Sequence, residues 1–455
     1  MGAATFSEFK KSQTQSFVKY KDDRDNSFSD YLKQQWNSFD IYKGVPLYEN
    51  PKPRDIIQTN PKKIKSVGPK VGIIIKDVNA TKVDRIKIKA VSTFDINFDF
   101  YGSTLVFNVP DNIDKAKFYP QNQNGIRNFF DATASSEYEP FIKKIKKITK
   151  RMNLNDWGVY LLVIEFSKHI HSNPDNANLL SWFIFNKLGY AVRVGLVQRH
   201  IVLMHYSEKI IYSTPSYLFS NKNFYVVSQY AKHSINRVYS YEQNYPDADK
   251  PLNLSLKGIP NFEPDIRKKT LTFKEYGKNY EVSFEYNQNL IDFMATYPQA
   301  DYETFFNAPL DSITYKTVAI ALKKHIDGMK MGDAINFVLH FVQKAFKYEV
   351  DSDQFSREKV MFANETLYFD KSDCEDRAVL FALLVEKLFG IGAVGVKYSD
   401  HMSTAINIPI AGDRVEVGSR ALIAADPTYI NANIGQSMAK YKNIKPDSFI
   451  FIRMD

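Results

Sequence analysis

One stretch constrains this chain more than any other. Ser372-Asp373-Cys374-Glu375-Asp376-Arg377 is followed by a run from Ala378 to Phe389 without Gly or Pro inside it, and then by Gly390. The run is made of good helix formers and is apolar nearly all the way round, which predicts a helix buried inside a domain and stopped at Gly390. Ser372 and Glu375 have capping-box spacing, with Ser372 expected as N-cap and Glu375 at N3. Cys374, the sole cysteine among 455 residues, then falls in the first turn, where free backbone N–H groups favour a thiolate. Free cysteines are more often small buried hydrophobes. The Asp, Glu, Asp and Arg neighbours are poor company for a core position, and the acids oppose ionisation, so a reactive thiol here needs a partner base.

Downstream residues supply candidates. Residues 394–396 read as a strand, and Ser399-Asp400 as a turn. His401 opens a second strand with alternation at Met402, Thr404, Ile406 and Ile408. A third strand over 421–425 ends at Asp426, with Pro427 as its stop. A cysteine at a helix start, a histidine at a strand start and an aspartate at a strand end follow in that order. A histidine beside a thiol takes its proton, and a carboxylate fixes the imidazole tautomer.

The region from about 341 to 435 resembles the transglutaminase-like superfamily, in its bacterial cysteine-hydrolase branch. The pieces that carry the resemblance are Lys347-Tyr348 ahead of an acidic loop, SDCEDRAVLFALLVEKL, VGVKYSDHMSTAINI and AADPTYINANIG. The resemblance implies a papain-like α+β thiol domain, a central buried helix against an antiparallel sheet. It also implies Cys374 as nucleophile, His401 as base and Asp426 as orienter, and a peptidase or amidase working through a thioester. Backbone N–H groups near Cys374 are expected to stabilise the oxyanion, with Tyr348 and Gln343 as further candidate contacts to oxyanion or substrate. The alternatives are a protein cross-linking transglutaminase with an amine acceptor, and a non-catalytic scaffold of the cell envelope with a vestigial triad. The expected partner is a protein or peptide substrate, a cell-envelope polymer included. No cofactor is implied.

The N-terminal half contains an expected degenerate copy. LLSWFIFNKLGYAVRVGLVQRHIVLMH runs parallel to AVLFALLVEKLFGIGAVGVKYSDHMSTAI, and YSTPSYL to AADPTYI. His200 then falls opposite His401, Thr214 opposite Asp426, and the neighbourhood of Pro174 opposite Cys374. With no thiol, this copy is expected to be inert.

The expected organisation is a helical segment and linker over 1–60, a small β domain over 61–123, the degenerate copy over 124–235, a second β domain over 236–289 and the active copy over 290–455. Residues 5–45 read as helical, 46–69 as a Pro/Lys-rich linker, and 85–91 as a strand. Helices are expected over 290–297, 315–329 and 331–346.

Net charge is +9, concentrated partly in Lys143-Lys144-Ile145-Lys146-Lys147-Ile148-Thr149-Lys150-Arg151. We read that run as a solvated helix face with its isoleucines inward, and expect no nucleic-acid role, since no interleaved basic-aromatic motif accompanies it. No metal site is expected: His169, His171, His200 and His205 lack suitably spaced partners, and His325 and His340 read as surface or packing residues. No run approaches the length of a membrane span. The start has no apolar signal region, and Phe6 breaks the myristoylation pattern. Many relatives in the resembled branch are exported, so a periplasmic or surface location with the leader absent from this sequence is expected; a cytoplasmic one stays open, because a lone cysteine fixes no compartment.

Overall fold

The structure is a computed structural model, and it describes residues 22–34, 36–75, 93–227 and 237–452. The chain is mixed α/β with antiparallel sheets and forms two compact units, Met1–Gly44 with Arg85–Asn253 and Val45–Asp84 with Leu254–Asp455. No helix among the described residues is long and apolar enough to cross a membrane.

In the second unit a hairpin comes first, Ile266–Glu275 paired with Lys278–Asn287. Leu271, Phe273, Val282, Phe284 and Tyr286 alternate inward from it. Helices Ser312–Ile326 and Met331–Lys344 follow, and then the helix Cys374–Phe389. Thirteen residues of that last helix are buried, so it has no solvent face. Gly390 ends it at φ 65, a left-handed conformation that glycine adopts without steric cost. The helix packs against strands Ala393–Lys397 and Met402–Ile406. These belong to a five-stranded sheet in the order Arg414–Val417, Arg420–Ala425, Met402–Ile406, Ala393–Lys397, Ser448–Phe451. Met402–Ile406 is buried on both faces, so the expected in-out alternation carries no difference in exposure.

The first unit repeats this plan. A hairpin, Thr93–Phe100 with Ser103–Pro110, precedes three helices and the buried helix Pro174–Lys187. Its sheet contains the same all-antiparallel run of five strands: Ser216–Phe219, Lys222–Tyr225, His200–Tyr206, Val192–Val197, Arg237–Ser240. Registers correspond as well. Val192 opposite His205 matches Ala393 opposite Ile406, and Ser216 opposite Tyr225 matches Arg414 opposite Ile423.

Three expectations change. Phe39 lies in the strand Asn37–Asp40 rather than a helix, since helix in this segment covers only 22–31 of the described residues. Residues 45–75 lie along the second unit as an ordered strap, where a linker was expected. Thr59 N–H donates to the Ile430 carbonyl, Ile430 N–H to Ile57, Gly332 N–H to Val67 and Met331 N–H to Pro69. The stretches 61–123 and 236–289 are not separate bodies, because each hairpin belongs to one of the two units. The expected strand over 85–91 lies outside the described residues. The basic run is the helix Glu139–Arg151, with Phe141, Ile142, Ile145 and Ile148 buried as expected.

Candidate active site

Asp426 follows the last residue of Arg420–Ala425, and His401 precedes the first of Met402–Ile406. Antiparallel pairing of Thr404 with Ala425 brings the two strand ends together. Nε2 of His401 lies 2.9 Å from Oδ2 of Asp426, and both side chains are buried. The second oxygen, Oδ1, accepts the Thr428 N–H at 2.8 Å, closing a turn that holds the carboxylate in place. The Tyr441 ring stacks on the imidazole at 4.8 Å between centroids, which fixes its plane.

Cys374 is the first residue of its helix and 0% exposed. The N-cap is Asp373, and Asp376 at N3 accepts the Asp373 N–H at 3.2 Å. The expected register, with Ser372 as cap and Glu375 at N3, is therefore one residue out. Ser372 instead accepts a hydrogen bond from Nε of the buried Arg377 at 3.0 Å. Asp376 also accepts the Met361 N–H, at 2.8 Å.

The thiol does not meet the imidazole. Among the described residues Sγ donates to Oε2 of Glu375 at 3.1 Å, with the Tyr48 hydroxyl at 3.8 Å, and no hydrogen bond joins it to His401. Tyr48 donates to the same Oε2 at 3.2 Å. Burial, with the Glu375 and Asp373 carboxylates beside it, pushes the thiol well above its ordinary value.

Residues that local pattern did not reveal surround it. Lys52, whose side chain is 2% exposed, puts its ammonium among Asp351 (2.9 Å), Glu375 (2.7 Å), Asp373 and Glu358 (3.0 Å). The oxygens of Asp351, Asp373 and Glu375 stand within 4.8 Å of one another, close enough to surround a cation. The cation there is Lys52, and its three N–H groups serve those three carboxylates. One ammonium cannot balance all the acids. Against the opposing effect of burial, Lys52 holds Glu375 below its ordinary value; burial raises Asp373 well above the usual range, Asp351 to about 8 and Asp376 to about 7. The only sequence signal for Lys52 was indirect: three acids around Cys374 with a single adjacent cation.

Gln343 and Tyr348 have other duties. The Gln343 amide donates to the carbonyls of Asp426 and Ala432, each at 3.0 Å, and accepts the Asn431 N–H at 3.0 Å, so it braces the loop after Asp426. The Tyr348 hydroxyl donates to the Pro53 carbonyl at 2.7 Å.

In the first unit His200 also opens a strand after a two-residue turn, pairing with Val197 as the His401 carbonyl pairs with the Tyr398 N–H. It is 74% exposed and lies 3.2 Å from Asp175 in the first turn of the Pro174–Lys187 helix. Thr214 is not opposite Asp426. It precedes Ser216–Phe219, the counterpart of Arg414–Val417, and the pairing of His205 with Tyr225 carries the Asp426 position to Ser228, outside the described residues.

No family model matches the chain, and no curated protein and no solved structure matches it.

Proposed function

We propose that this protein is a cysteine-dependent acyl-transfer enzyme of the transglutaminase-like kind, a peptidase or amidase working through Cys374, His401 and Asp426. The observation that carries the reading is the buried His401–Asp426 pair at 2.9 Å, at the ends of paired strands of the sheet that packs against the Cys374 helix.

With Nε2 turned to Asp426, Nδ1 is the nitrogen that takes the thiol proton as Sγ adds to an amide carbonyl. Collapse breaks the C–N bond, and the amine leaves with that proton. Water then gives a proton to His401 and attacks the thioester, and Sγ recovers its proton as the carboxylic acid departs. Backbone N–H groups of the first helical turn are the donors this reading assigns to the oxyanion. For this chemistry Sγ must turn from Glu375 to His401.

The scaffold reading has one observation of its own: Sγ donates to Glu375, and Cys374 has no exposure. Hydrolysis of activated esters and of a peptide mixture separates the two readings. It is assayed on the protein as it stands and after Lys52→Met, each beside its Cys374→Ala counterpart. Turnover that disappears with Cys374→Ala supports the enzyme. Equal turnover with and without the thiol, or none in any form, removes it.

A further inference from the structure

The strap crosses the candidate site, and its anchors point at the thiol. Tyr48 brings its hydroxyl to Sγ and to Glu375, and Lys52 fills the carboxylate cage built from Asp351, Asp373 and Glu375. The Pro53 carbonyl takes the Tyr348 hydroxyl, and the Asn50 N–H donates to the Ser399 carbonyl at 3.3 Å, two residues before His401. Leu47, Tyr48 and Lys52 are buried, whereas Glu49, Asn50, Pro51, Arg54 and Asp55 are exposed. This is the pattern of an irregular segment, bent at 47, 49–50 and 54–55, that is anchored by a few seated side chains. Pro46, Pro51 and Pro53 restrict its backbone and keep it out of helix.

We propose that residues 45–56 are a built-in pseudosubstrate that shields Cys374 and leaves the groove when the enzyme works. The groove then takes a polypeptide that presents an aromatic residue and, four positions later, a lysine. The shielding stands by itself; its meaning as regulation and substrate class rests on the acyl-transfer reading.

The composition of the groove explains why the occupant must be cationic. Asp351 and Asp373 each leave a buried oxygen without a hydrogen-bond partner even with Lys52 in place, and Glu375 and Asp376 stand beside them. An empty or neutral occupant would leave the buried Glu375 carboxylate without the ammonium it now faces at 2.7 Å. A lysine elsewhere on a polypeptide satisfies that carboxylate as Lys52 does. Departure of the strap also takes the Tyr48 hydroxyl away from Sγ and from Glu375.

The test uses the full chain. Alkylation of Cys374 by iodoacetamide is followed together with amide hydrogen exchange at Asn50 and at the strands Ala393–Lys397 and Met402–Ile406. The proposal predicts that labelling tracks strap opening, at least about tenfold faster than the strand amides open. Lys52→Met is expected to accelerate labelling and strap exchange together by about tenfold or more, with strand exchange unchanged. A peptide of residues 45–56 added to that variant should slow labelling again, and the same peptide carrying Met for Lys52 should not. Labelling in the wild type that tracks only the opening of the strands overturns the proposal, and this arm stands even where Lys52→Met does not fold. Slow labelling in a folded Lys52→Met protein overturns it as well. Fast labelling in that variant with no acyl transfer keeps the shielding and removes the enzymatic reading.

Discussion

His401 presents Nε2 to Asp426 at 2.9 Å, so a carboxylate fixes which nitrogen of the imidazole faces away. An amide at 426 would still pack, since the site is buried on all sides, but it no longer favours the required tautomer. Asp426→Asn is therefore expected to lower kcat on the order of a hundredfold or more while KM moves within about threefold. Steady-state kinetics on any substrate found for the protein checks this, and a change confined to KM contradicts it.

Glu375 sits on the thiol, and the reactivity of Cys374 follows from it. A cysteine paired with His401 would ionise below the ordinary value of about 8.5 and alkylate readily at neutral pH. The thiol in this state is pushed the other way by burial, Glu375 and Asp373. Wild-type Cys374 is expected to alkylate more slowly at pH 7–8 than a free thiol. Glu375→Gln removes the nearest negative charge and is expected to speed labelling at pH 8 by about tenfold.

Burial of the acids near Lys52 makes stability depend on pH. Asp351 is raised to about 8 and Asp376 to about 7, against about 4 in the unfolded chain. Between those values the folded protein holds protons that the unfolded chain has released. The contribution is complete below about pH 4 and is lost as pH rises through 7 to 8. Asp351→Asn keeps the shape of the protonated acid and removes one such proton. Thermal unfolding across pH 4–9 should show a shallower decline for the variant, and parallel curves contradict the assignment.

The first unit offers a control. His200 is exposed and lies 3.2 Å from the buried Asp175, which keeps the Ile201 N–H as a second partner, so loss of the exposed imidazole is worth about 0–1 kcal/mol. His200→Ala should leave turnover near wild type and shift stability by no more than that. Trp182, on the buried helix of the same unit, is 0% exposed, and Trp182→Ala is expected to cost about 3–5 kcal/mol. A large loss of rate in a stable His200→Ala protein would place a second functional site there.

The elements that could be read from sequence are those whose signal is local. Cys374 at a helix start, Gly390 as its stop, and His401 and Asp426 at strand ends all follow from residue type and spacing. The cap was misplaced by one residue because Ser372 and Asp373 are both good caps, and the choice is made by Arg377 taking Ser372. Thr214 was misaligned because YSTPSYL looks like AADPTYI in composition, whereas strand register decides which positions correspond. Lys52 was invisible for a different reason. It comes from a proline-rich stretch that reads as a linker, and its partners lie about three hundred residues away in the chain.

The most direct test of the central claim is the covalent intermediate. Intact-mass and peptide mass spectrometry after brief exposure to an activated acyl ester should find the acyl group on Cys374, in the wild type or in the Lys52→Met protein. It should be absent in Cys374→Ala and form at least about a hundredfold more slowly in His401→Ala. Acylation of Cys374 at the same rate with and without His401, or none even with the strap released, would contradict the account.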